Sequence, residues 1–116
     1  MKEQKYLPLG SVVKVRGGVQ KFMIITRGVV LEVDNRKALV DYGGCIFPDG
    51  VVNDKVIYFN HEDIDEILYT GYSDELDRRM TDNIKKAEQQ TKIEHLNIRA
   101  IQEQYEKEQG EEKRDG

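Results

Sequence analysis

The stretch SVVKVRGGVQKFMIITRGVVLEVDNRKALVDY, residues 11–42, decides the fold class. SVVKVR (11–16) alternates, with Val13 and Val15 on one face and Lys14 and Arg16 on the other, which is the period-two pattern of a half-buried strand. Gly17 and Gly18 turn the chain, and KFMIITR (21–27) follows as a nearly continuous apolar run. Its centre, Phe22 to Ile25, is expected to be covered on both faces. Gly28 reads as an interruption before VVLEV (29–33). DNRK (34–37) supplies a turn, because Asp34 and Asn35 tolerate left-handed backbone, and ALVDY (38–42) resumes the strand pattern.

Beyond this stretch, YGGCIFPDG (42–50) holds three glycines, a proline and the chain's single cysteine. Gly43 and Gly44 predict a bulge or bend, and Pro48, Asp49 and Gly50 a turn. Cys45, Ile46 and Phe47 are then a short strand between two breaks. KVIYF (55–59) and EILYTGY (66–72) add further strands, and Asn60 is placed to cap a short helical turn at His61–Glu62–Asp63. Five or six short strands at this spacing predict an antiparallel sheet, either a small β-barrel, the SH3-like type included, or a strongly curled sheet.

The character of the chain changes at Ser73. From there to Gln109 there is no glycine or proline, and Glu, Gln, Lys and Arg dominate. Ser73 or Asp74 is a good N-cap, and acid-first pairs such as Glu75/Arg79 recur at i, i+4. One long helix of about 50 Å is expected at the usual rise. Met80, Ile84, Ala87, Thr91, Glu94, Ile98, Ile101 and Tyr105 follow at spacings of four and three, a coiled-coil rhythm weakened in its middle by Thr91 and Glu94. Leu96, Ile98, Ile101 and Tyr105 form a stripe for which a small barrel offers little cover, and they are the expected partner-binding or self-association residues. The expected organisation is α+β: a flexible 1–5, a β domain over 6–72, a helical extension over 73–109 and a disordered tail over 110–116.

The 116 residues suffice for one domain with an appendage. Hydrophobic residues make up 38% and charged residues 34%, and the mean hydropathy of -0.68 implies that part of the chain lies outside any core. With a net charge of -4 and a sequence pI near 5.2, no global positive field exists to hold phosphates. One cysteine cannot form an intrachain disulfide, which fits a reducing compartment. No apolar run approaches the ~20 residues of a membrane span. MKEQKYLPLG has no apolar core of the signal-peptide kind, so a cytoplasmic location and no membrane association are expected.

Reactive constellations are scarce. A nucleophilic cysteine needs a base, and Cys45 stands in a chain with two histidines, of which His95 is expected far along the helix. Buried, such a residue behaves as a small hydrophobe. His61, Glu62, Asp63, Asp65 and Glu66 lack the ligand spacing of a calcium loop and read as a helix cap with solvated acids. Gly17 and Gly18 precede a strand instead of a helix and so fail the context of a phosphate loop. The expectation is a non-enzymatic chain with no catalytic, cofactor-binding or metal-binding residues. Lys14, Arg16, Lys21 and Arg27 with Tyr6 or Tyr42 leave one rival open, a small β-barrel RNA-binding module.

Four stretches, YLPLGSVVKVRGG (6–18), KFMII (21–25), DYGGCIFPDG (41–50) and YFNHEDIDEILYTGY (58–72), together resemble a family of small Gram-positive proteins known as a domain of unknown function. Its members are encoded beside type VII secretion loci that export LXG-domain toxins. The resemblance implies a cytoplasmic accessory, an adaptor, chaperone or targeting factor, that binds an LXG toxin or its small helical partner proteins. It implies no catalytic role for any matching residue.

Overall fold

The computed structural model describes residues 6–97. In chain order they form strands β1 (Val12–Val15), β2 (Lys21–Val33), β3 (Arg36–Ile46) and β4 (Ile57–Phe59), a 3-10 turn at His61–Asp63, strand β5 (Ile64–Tyr69) and helix α1 (Glu75–Gln90). The residues beyond this span, including the tails expected at 1–5 and 110–116, lie outside the described residues.

The strands make one antiparallel sheet in the order β4-β3-β2-β1-β5. Its two outer strands, β4 and β5, do not pair with each other, so the barrel expected from the sequence does not close. The sheet is α+β in setting and bends over one core instead. Val13 and Val15 of β1, Ile24 of β2, Tyr42 of β3 and Phe59 of β4 are buried together, and Ile64 from the opposite outer strand packs against them. The Phe22 and Phe59 rings, two strands apart, approach to 6.2 Å between centroids.

The bend has a local cause. Ile24 pairs with Gly44 and Thr26 with Gly43, which leaves Ile25 as an extra residue in β2, and such a bulge raises twist and bends the strand. The two glycines opposite permit it. A Cβ on Gly43 would lie 2.6 Å from Thr26 Cγ2, and one on Gly44 would lie 2.9 Å from the Met23 carbonyl oxygen. The bulge expected at these glycines is thus present, but it does not set off Cys45 to Phe47 as a separate short strand, since β3 runs unbroken through them to Ile46. The predicted turn after it is present at Phe47–Gly50, closed by the Gly50 N–H donating to the Ile46 carbonyl at 2.8 Å.

β2 and β3 are joined at Asp34-Asn35, whose φ values of 51° and 64° are those a two-residue hairpin requires. Gly28, read as an interruption, lies inside the continuous β2 at φ +61°. Its function is close approach: a Cβ there would meet Ile84 Cγ2 of α1 at 2.5 Å. The helix thus folds back onto the sheet, and Ile84 and Ala87 line an apolar pocket with Val30, Leu39 and Ile93.

α1 begins as expected, with the Asp74 carboxylate accepting from the Asp77 N–H at 3.0 Å. It ends far earlier than expected. The helix has 16 residues, and Thr91 is already extended. The next residues add to the sheet: Leu39 N–H donates to the Glu94 carbonyl and Leu96 N–H to the Leu39 carbonyl, both at 2.8 Å, as a parallel bridge. β4 pairs only with Tyr42–Gly44, so the first half of β3 has an edge to offer. Satisfying those backbone groups outweighs continued helix in a segment whose β-branched Thr91 and Ile93 hold it weakly.

Candidate functional site

The fold-back brings residues from five regions into one cleft of about 290 Å³, lined by Tyr6, Asp41, Tyr42, His61, Glu62, Glu88 and His95. Asp41 lies at its centre. Its backbone N–H donates to Asn60 Oδ1 at 3.0 Å, and its Oδ2 accepts from the His61 N–H at 2.8 Å. His95 Nε2 stands 2.9 Å from Asp41 Oδ1. The Tyr6 hydroxyl donates to Glu88 Oε1 and stands 3.5 Å from Asp41 Oδ1. Asn60, buried, also donates from Nδ2 to the Leu96 carbonyl at 2.6 Å, which fixes the segment carrying His95.

Two phenols are held protonated. Burial, the Glu88 hydrogen bond and the Asp41 charge push Tyr6 far above the ordinary tyrosine range. Burial pushes Tyr42 up to about 12, with Asp41 adding to the shift and the Leu7 N–H opposing it. Tyr42 accepts from Leu7 N–H at 2.9 Å and stands 3.0 Å from His61 Nδ1. A protonated Tyr42 can give its hydrogen to Nδ1, which leaves the imidazole proton on Nε2. Asp41, Glu88 and His95 each offer one ligand atom, and the three lie within 4.8 Å of one another.

The sequence places only part of this. Cys45 is buried and free in β3, as expected of a small hydrophobe, and it does not line the cleft. His95 is not far along a helix. It returns to β3, so the two histidines converge on Asp41. Of the expected partner-binding stripe, Leu96 is half-buried in the extended segment beside Leu39, not on a helix. Ile98, Ile101 and Tyr105 lie outside the described residues. The cleft is not legible in the sequence, because its members are 19 to 82 positions apart where they touch.

The family model for DUF4176, a domain of unknown function, matches residues 6–80. The chain belongs to that family. The match spans all five described strands of this DUF4176 protein and the first turns of α1, and so includes Tyr6, Asp41, Tyr42, His61 and Glu62 of the cleft. Glu88 and His95 lie beyond it. Neither a curated protein nor a solved structure matches the chain. Among the described residues, no helix is long and apolar enough to cross a membrane.

Proposed function

We propose that this DUF4176 protein is a non-enzymatic cytoplasmic accessory, an adaptor, chaperone or targeting factor, that acts in type VII secretion by binding an LXG-type toxin or its small helical partner proteins. The observation that carries a binding role is the apolar surface between Ile67 and Met80. Tyr69 is 63%, Tyr72 80%, Leu76 72% and Met80 55% exposed, and Ile67 and Leu68 are exposed as well. Leu76 and Met80, four apart, share one face of α1. Large apolar side chains left open in succession on an outer strand and the adjoining helix are what a partner's surface covers.

The outer strand is guarded against indiscriminate pairing. β5 is irregular against β1 at Asp65 and Leu68 and carries Asp65 and Glu66, devices that discourage edge-to-edge association. A partner is therefore recognised through side chains more than through strand addition. The cations of the RNA-binding rival are partly engaged within the chain: Arg27 pairs with Asp77 at 2.7 Å, and Arg16 stands 3.6 Å from Asp63.

The experiment is co-purification of the tagged chain from its native host. Recovery of an LXG toxin or a small helical protein from the same locus supports the proposal. Recovery of RNA in a salt-sensitive complex, with no such protein, overturns it in favour of the rival.

A further inference from the structure

The geometry points to a divalent metal site at Asp41, Glu88 and His95, with zinc as the ion its donors suit best. The three side chains come from three parts of the chain: β3, the last turns of α1 and the extended segment after it. One imidazole nitrogen and two carboxylate oxygens form a donor set that zinc accepts, with a fourth position left for water.

The distances are compatible with loading by side-chain rotation. Zinc at its usual bond lengths needs donor atoms about 3.4 Å apart in a tetrahedral arrangement. The ligand atoms here lie within 4.8 Å of one another, and His95 Nε2 to Asp41 Oδ1 is already 2.9 Å. A metal would part that pair slightly and draw Glu88 in.

Two features beyond the trio favour a cation. Among the described residues, the cleft lining contains three carboxylates, Asp41, Glu62 and Glu88, and no lysine or arginine. The ligands are also supported from outside: Asp41 Oδ2 is held by the His61 N–H, Glu88 by the Tyr6 hydroxyl, and the His95 backbone by the bridge to Leu39. Such supports orient ligands and are characteristic of metal sites. An ion bound here would fasten α1 and the extended segment to β3. It would use none of the residues of the proposed partner surface.

The test uses the full chain, freed of any tag and stripped with a chelator. Zinc is titrated by calorimetry, with thermal unfolding followed at several free zinc concentrations. One ion per chain at low micromolar affinity or tighter is expected, with a Tm that climbs as free zinc rises. Glu88→Gln and His95→Gln should each weaken binding by at least about tenfold while leaving the metal-free Tm close to that of the parent. Magnesium should not substitute, since the imidazole is a poor ligand for it. Absence of binding at 100-fold molar excess of zinc, or equal binding by the parent and both variants, overturns the assignment.

Discussion

Arg27 Nη2 lies 2.7 Å from Asp77 Oδ1, a pair that joins the middle of β2 to the first turn of α1. Both side chains are largely withdrawn from water, at 5% and 16% exposure. Asp77 further accepts from the Ser73 hydroxyl at 2.8 Å, while Arg27 Nη1 reaches the Leu7 carbonyl only at 3.4 Å. The arginine is thus the partner with less to fall back on. Asp77→Asn, which strands a buried guanidinium, should cost about 3 kcal/mol, and Arg27→Met should cost less because Asp77 keeps its other donor and some water. The double variant should be more stable than the sum of the two losses implies. Urea unfolding measures all three, and an Asp77→Asn protein as stable as the parent would show that the pair does not anchor the helix.

The same pair has a pH signature. Partial burial works against ionisation of Asp77, but the Arg27 guanidinium, the Ser73 hydroxyl and nearby Arg78 outweigh it and hold the carboxyl below its usual range. A depressed folded-state value means that the contribution is complete above the unfolded aspartate value of about 3.9 and is lost as pH falls through the lower folded value. The stability gap between parent and Asp77→Asn should therefore be constant near neutrality and close only in acid. A gap that narrows between pH 8 and 6 would assign the effect to another group.

Gly28 gives a second handle on the fold-back. An alanine there would be held at φ +61° with its Cβ 2.5 Å from Ile84 Cγ2. Left-handed backbone alone costs an L-residue about 1–2 kcal/mol, and the stiff β-branched Ile84 cannot swing clear without losing its place over β2. Gly28→Ala should destabilise by about 2–4 kcal/mol, counting the overpacking cost as well. Ile84→Ala alone should cost about 2 kcal/mol in lost burial. Combined, the two should cost less than their sum, because the second removes the clash created by the first. Strict additivity in a double-mutant cycle would mean that Gly28 and Ile84 are not in contact in solution.

How far the fold is legible in sequence depends on the range of the forces involved. The alternation of Val13 and Val15 with Lys14 and Arg16 is a local signal, and both valines are in the core. The Asp34-Asn35 turn is local too, and both residues take positive φ. The length of α1 is not local. Composition from Ser73 to Gln109 favours continued helix, but the chain leaves it at Thr91 because Leu39 presents unpaired backbone groups, and no window around Thr91 contains Leu39. Closure of the barrel fails for a similar reason, since strand count does not say whether β4 and β5 meet. His95 and Asp41 are 54 positions apart, so their meeting follows only once the helix has been turned back. The weak middle of the apolar rhythm, Thr91 and Glu94, was the one sequence feature that marked the place.

Cys45 is buried in β3 against a closely packed β2. A thiol reagent should label the native protein slowly and the urea-unfolded protein at once. Cys45→Ser should leave partner binding intact and cost about 1–3 kcal/mol, the penalty for burying a hydroxyl that lacks an acceptor. Rapid stoichiometric labelling of the native protein, together with loss of partner binding in the variant, would instead give the thiol a functional part.

The partner surface is the assignment with most at stake, and two regions compete for it. One is the exposed set Tyr69, Tyr72, Leu76 and Met80. The other is the stripe Leu96, Ile98, Ile101 and Tyr105, of which Leu96 is fastened by its backbone to β3 and the rest lie outside the described residues. Leu76→Glu with Met80→Glu places charge on side chains that contribute little burial to the free protein, so its Tm should stay near that of the parent. If a partner covers them, the same charges are desolvated in the complex and recovery of the toxin or helical protein should fall at least about tenfold. Ile98→Asp with Ile101→Asp is the matched comparison. Loss of recovery with the first pair and retention with the second places the interface on β5 and α1. The reverse pattern, with both Tm values unchanged, moves it to the C-terminal stripe, and a marked fall in the Tm of the second pair would identify that stripe as part of the folded core.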